Sequence, residues 1–317
     1  MGRPKKNKFG FFSFLRPIFT VAILTAFVLG ISFLVKTVAT SDSDDLLSAL
    51  NPLLTRLHVD DKKLEAVAGM FVSRATQISV VDEKRGQIAF SIALLADSHG
   101  FYDNLGKAVE MVKSEHVSYT FFLGDYTDLG VLEDLQQAKS IMDRGGLDYL
   151  SLPGDHDLWK SVGPQNFIDV FGKNYFSKMI NGIKFIGLDN SANYTVISDE
   201  QMSWFKNELT DADFVLLSQP LFHPSVDRVM GIVNGQENQN VRFQAKEILK
   251  LIRESKVKAI IAGDQHLSSQ NIDPEEPSLT HIVIGALTGE RNLQTPRFAV
   301  FRALKSGDYA IEDVLLK

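Results

Sequence analysis

Short runs of apolar, β-rich residues recur from Ile88 onward, and several of them run directly into Asp, His or Gly-Asp. The runs are Ile88–Leu95, Val117–Leu123, Leu147–Leu152, Ile183–Leu188, Phe214–Leu217 and Val257–Ala262. Strands that are apolar throughout belong to sheets covered on both faces. Between them lie stretches with apolar residues at helical spacing: Leu105–Glu115, Leu132–Arg144, Glu200–Leu209 and Ala245–Glu254. This alternation predicts an α/β domain over 88–317. Thr280–Leu287 and Arg297–Leu316 read as further strands, with Ser306-Gly307-Asp308 as a hairpin turn.

The strand ends carry the chemistry. Ile88–Leu95 leads to Asp97-Ser98-His99, and Val117–Leu123 to Gly124-Asp125-Tyr126-Thr127-Asp128. Leu147–Leu152 leads to Pro153-Gly154-Asp155-His156-Asp157, Phe214–Leu217 to His223-Pro224, and Val257–Ala262 to Gly263-Asp264-Gln265-His266. In open α/β sheets the carboxyl ends of strands line the ligand crevice, so these blocks predict one rim rich in carboxylate and imidazole. Singly, each block is weak, because Gly-Asp often marks only a turn or a helix cap. The ordered series is what points to metal ions of the Mn, Fe, Zn or Mg type. His58, His116 and His281 fall outside the series and read as ordinary polar residues.

This order of blocks resembles the calcineurin-like metallophosphoesterase family, over roughly Ile88 to Leu304. Gln201-Met202-Ser203-Trp204-Phe205 resembles the helix that precedes the fourth block in many members. The resemblance implies a four-layer α-β-β-α sandwich of two mixed sheets, with a dimetal centre at one sheet edge. It implies that Asp97, His99 and His266 hold the first ion, that Asp125 bridges both, and that Asp155, His223 and Asp264 complete the second site. His156 matches the histidine that faces the phosphoryl oxygens, and Asp128 and Asp157 match residues that orient the histidines. The implied reaction is hydrolysis of a small phosphate ester, diester or monoester, by a hydroxide bridging the two ions.

Two positions depart from the family's usual pattern. Asp155 stands where Asn is usual, and Asp264 where His is usual. Both changes fall on the second site and add negative charge, which biases that site toward a harder ion such as Mn, Mg or iron over Zn, and the substrate toward diesters. The competing reading is a catalytically weak or inactive metal-binding domain that serves as a ligand- or partner-binding module. A Ser-His-Asp hydrolase is disfavoured, since the chain has no Gly-x-Ser-x-Gly elbow. The segment Pro224–Asn240, with Arg228 and an Asn234-Gly235 turn, reads equally as a lid or substrate contact and as a plain exposed loop.

The N-terminus is of another character. Ile18–Val35 is an uncharged apolar run, long enough to span a hydrocarbon core as a helix of roughly 27 Å. Arg3, Lys5, Lys6, Lys8 and Arg16 precede it, and Asp42, Asp44 and Asp45 follow, so the positive-inside rule places a short tail in the cytoplasm and the large domain outside. Residues 1–40 are thus expected to form a tail and a single-pass transmembrane anchor, and 41–87 a helical stalk or cap. A cleaved signal peptide ending near Thr37 and Ala39 is the competing reading, with Lys36 against it. Without the six basic residues of 1–40 the chain keeps 27 basic against 39 acidic residues, and no basic track for nucleic acid is evident. The absence of cysteine excludes disulfides, thiolate metal sites and thiol nucleophiles. Oligomeric state leaves no mark in the sequence.

Overall fold

The apolar runs form strands buried on both faces in the computed structural model, which describes residues 87–316. The expected anchor (1–40) and all but the last residue of the expected preface (41–87) lie outside these residues. The chain divides into units of Met1–Leu64 and Glu65–Lys317, and the described residues belong to the second. Among them, no helix is long and apolar enough to cross a membrane.

The strands are β1 (Ile88–Leu95), β2 (Tyr119–Leu123), β3 (Tyr149–Leu152), β4 (Phe176–Ile180), β5 (Ile183–Leu188) and β6 (Phe214–Leu217), then β7 (Ile232–Val233), β8 (Gln236–Glu237), β9 (Ala259–Ala262), β10 (Ser269–Ile272), β11 (Thr280–Val283), β12 (Arg297–Leu304) and β13 (Tyr309–Leu315). The helices are α1 (Tyr102–Ser114), α2 (Leu132–Arg144), α3 (Gln165–Phe171), α4 (Asp199–Leu209) and α5 (Gln239–Arg253). One sheet has the order β13-β12-β1-β2-β3 and the other β10-β11-β9-β6-β5-β4. Both are mixed: β1, β2 and β3 run parallel while β12 pairs antiparallel with β1, and β5, β6, β9 and β11 run parallel between antiparallel β4 and β10.

Side-chain alternation divides each strand between two cores. In β1, Ile92 and Leu94 enter the core between the sheets, whereas Ala93 and Leu95 face a core shared with α1 and α2. In β6, Phe214 and Leu216 enter the same central core, whereas Val215 and Leu217 face one shared with α4 and α5. Three stacked cores require four layers, helices outside and sheets within. A fully apolar strand is what this arrangement demands of its sequence. Helix α4 is capped by Ser198, whose side chain accepts from the Gln201 N–H, and buries Met202 and Phe205.

Away from the strand-end rim, His281 is held structurally. It sits at 2.7 Å from the buried carboxylate of Asp273, which also takes Arg253 through both oxygens at 3.0–3.1 Å. Burial alone would raise the Asp273 carboxyl, but hydrogen bonds from His281, Arg253 and the N–H groups of Glu275 and Glu276 outweigh it and hold it down to about 2. A carboxyl depressed on folding stabilises the native state above its unfolded pKa near 4 and loses that contribution as pH falls toward 2. The group should therefore carry about 2 kcal/mol that disappears across that window. Urea unfolding of wild type and Asp273→Asn at pH 5 and pH 2.5 should show the gap between them narrowing on the acid side; a constant gap contradicts the assignment.

Candidate metal centre

Five of the residues that the sequence placed at strand ends share an uncommon backbone state. Asp97, His99, Asp125, Asp264 and His266 all have positive φ, between 46° and 69°. Asp and His tolerate this left-handed region better than most residues, and such strain gathers where surrounding structure forces it. Here the loops force it on one another: the Asp97 N–H donates to the Gly124 carbonyl at 2.9 Å, the His99 N–H to the Asp125 carbonyl at 3.0 Å, and the Asp264 N–H to both Asp97 oxygens at 3.1 and 3.2 Å. Gly154 permits the closest approach, because a Cβ there would lie 2.0 Å from Asp125 Oδ1.

Their side chains converge. Ligand atoms of Asp97, His99 and His266 lie within 4.8 Å of one another, as do those of Asp125, Asp155 and Asp264. His99 Nε2 is 3.0 Å from His266 Nε2 and 3.8 Å from Asp125 Oδ2, and His266 Nε2 is 3.7 Å from Asp97 Oδ1. Donor atoms placed about 2.1 Å from one ion stand roughly 3.0–3.4 Å apart, so these spacings are close to the edges of a coordination shell. His99 Nδ1 faces Asp128 Oδ1 at 3.1 Å, which directs the Nε2 lone pair inward. His156 donates from Nδ1 to the Asp128 carbonyl at 2.8 Å and from its backbone N–H to Asp125 Oδ1 at 3.0 Å. Its ring stacks on Trp159, with centroids 4.4 Å apart, and meets His99 edge-on at 4.7 Å.

The electrostatics are those of a site short of positive charge. Burial, then the neighbouring Asp264, raises the Asp97 carboxyl, and burial, then Asp155, raises that of Asp125. Burial pushes Asp264 up to about 6 despite the opposing Arg228. Burial also lowers His99 to about 2 and His266 to about 4. A cation among these groups would favour both the carboxylates and the neutral imidazoles. At the rim, Asp155 Oδ1 is buried without a hydrogen-bond partner in the protein.

Two residues make contacts other than those the resemblance implies. His223 is not among the residues whose ligand atoms group within 4.8 Å of one another. Its Nδ1 accepts from the N–H groups of Ser225 and Val226 at 3.2 and 3.0 Å, and its Nε2 lies 3.1 Å from Ser269 Oγ. That tautomer leaves neither nitrogen a free lone pair for a metal. Asp157 touches none of the histidines: it accepts from the N–H groups of Tyr126, Thr127 and Gly154 and from the Thr127 hydroxyl, at 3.0–3.1 Å. It therefore staples the second loop to the third.

Other residues join the site that the strand-end pattern did not mark. Asn193 donates to Asp155 Oδ2 at 2.7 Å and is itself held by Gln219 at 2.8 Å. Arg291 reaches Asp128 at 3.3 Å. Arg228, on the segment left open between lid and loop, forks onto Asp264 through Nε at 2.9 Å and a terminal nitrogen at 3.0 Å. The Asn234-Gly235 turn joins β7 and β8 with φ of 51° and 74°, the pair of positive values that a type I′ hairpin needs. A signal for Asn193 was present, because the loop after β5 also opens at a carboxyl end of the same sheet.

The donor set of Asp97, His99 and His266, with Asp125 beside it, fits one divalent ion of borderline hardness. The second group matches a hard cation in charge. In ligands it does not, since His223 is turned away and both oxygens of Asp264 already hold a guanidinium.

Comparison with known proteins agrees with this architecture. A dimetal phosphatase from Danio rerio superposes with a TM-score of 0.55 at 16% identity, covering 73% of this chain and 97% of that one. Purple acid phosphatase PPD1 from yellow lupin superposes at 0.56 with 12% identity over 73% of this chain, which spans about half (52%) of the lupin chain. At such identities the likeness is one of fold. No curated protein matches by sequence. The model of the calcineurin-like phosphoesterase family matches residues 90–268, from the middle of β1 through His266, and so takes in every strand end that feeds the cluster. More than half of the chain lies within that match, and the chain belongs to the calcineurin-like phosphoesterase family.

Proposed function

We propose that the chain is a metal-dependent phosphoric ester hydrolase whose centre is built by Asp97, His99, Asp125, Asp155, Asp264 and His266. The observation that carries this reading is the convergence of four loops on one point, with His99 and His266 Nε2 atoms 3.0 Å apart beside buried carboxylates. A bound ion would supply Lewis acidity and an acidified water at neutral pH. The protein's residues do the rest. Asp128 orients His99, and Asn193 orients Asp155. His156, its Nδ1 occupied by a carbonyl and its ring clamped by Trp159, keeps Nε2 for the phosphoryl oxygens or the leaving group.

The acidity of the cluster bears on the substrate. Four carboxylates repel a dianionic monoester more than a monoanionic diester, so diesters are the favoured class. His156 also separates an enzyme from a mere metal-binding module, which needs no such residue. Replacing His156 by Gln should slow hydrolysis of a chromogenic diester by about 10²–10⁴-fold while leaving metal content unchanged. Equal turnover by the variant removes His156 from the chemistry.

Placement at a membrane, with the catalytic domain outside the cytoplasm, is part of the same proposal and rests on Ile18–Val35 and its basic flank. Full-length chain should sediment with membranes, and loss of residues 1–40 should release it; unchanged partition counts against the anchor.

A further inference from the structure

The second group of carboxylates already has a cation beside it, and that cation belongs to the protein. The Arg228 fork covers both oxygens of Asp264, whose side chain is only 6% exposed. Asp97 and Asp155 also lie within range of its charge. The backbone that carries it is fixed: Gln265 donates to the Arg228 carbonyl at 2.6 Å, Met230 two residues on is fully buried, and the Met230 carbonyl accepts from Arg242. This part of the segment is a built wall of the centre, rather than a free lid.

The same neighbourhood lacks a nitrogen ligand, because His223 is committed to Ser269 and to its own turn. A divalent ion held by Asp264 would share that carboxylate with a guanidinium, and two cations on one carboxylate repel each other. We infer that Arg228 takes the place of the second metal ion, so that the centre holds one divalent ion, on Asp97, His99, His266 and Asp125, opposite a fixed guanidinium. The two acidic departures from the family pattern then have a common reason. Asp264 is the seat of the arginine, and Asp155 adds to the negative charge within its range. The inference rests on the proposed hydrolytic centre but concerns its cation content.

Manganese(II) alone is the probe, with the detergent-purified full chain, equilibrium dialysis and electron paramagnetic resonance as the readouts. Wild type should bind about one equivalent with a mononuclear spectrum, and Arg228→Gln about two with an exchange-coupled one. Arg228→Lys, which keeps charge without the fork, should stay near one. The wild-type measurement needs no variant and decides the matter even if Arg228→Gln fails to fold. Two equivalents and a coupled spectrum in wild type overturn the inference while leaving metal-dependent hydrolysis intact. No bound manganese overturns both.

Discussion

Replacing Asp125 by Asn should cut phosphodiester turnover by at least about a thousandfold, a loss larger than the 10–100-fold typical of residues that only support metal ligands. Asp125 is the residue common to everything at the rim. Its Oδ2 lies 3.8 Å from His99 Nε2, its Oδ1 accepts from the His156 N–H, and it belongs to the group formed with Asp155 and Asp264. The amide keeps the volume and one acceptor but loses the charge. For that reason the melting temperature without metal should hold or rise, since the variant removes one of four clustered, mutually repelling acids, itself buried. Steady-state rates, metal content and thermal unfolding measured together check this; a variant with wild-type turnover would show that the bridge between the two groups is idle.

The second large effect is on stability. Asp157→Ala should cost about 3–5 kcal/mol in urea unfolding, because it strips acceptors from donors that have no water to turn to. Asp157 is fully buried, and the N–H groups of Tyr126, Thr127 and Gly154 all end on it. Burial pushes its carboxyl up to about 6 against those same bonds, so the group is costly to bury and is retained for what it joins. Asp157→Asn, which keeps one oxygen, should lose less. If the alanine variant unfolds within 1 kcal/mol of wild type, roughly the worth of a single net hydrogen bond, the staple is not structural.

The contrast between these residues shows what a sequence can carry. Strands β1, β2, β3, β5, β6 and β9 were legible because burial on both faces demands unbroken apolar runs. Strand β4 was not: Phe176 and Ile180 point inward, Ser177 and Met179 outward, and an edge strand keeps too few apolar residues to stand out. Helix α3 buries only Phe167 among its seven residues, and β10 is the polar edge Ser269–Ile272. The start of α5 was set too late, because its first turn is signalled by the Asn238 cap and not by apolar spacing.

The metal-type ligands were legible for a topological reason. A residue one to four positions past a parallel strand cannot leave the rim, which holds for Asp97, Asp125, Asp155 and Asp264. His223 stands six positions past β6, enough chain for the backbone to turn and bury the ring against Ser269. Asn193, Gln219 and Arg228 act on partners 26 to 38 residues away, through contacts that only the assembled sheets create. Of the histidines outside the series, His116 sits in the turn after α1 with φ of 52°, and His281 is paired to Asp273.

The claim that the rim is a metal-held hydrolytic centre is tested most directly by chelating the full chain and then restoring manganese while hydrolysis of a chromogenic phosphodiester is followed. Turnover should vanish with the metal and return with it in wild type, and should not return in Asp97→Asn. Hydrolysis indifferent to chelation, or metal bound without turnover of diester or monoester, would contradict the account.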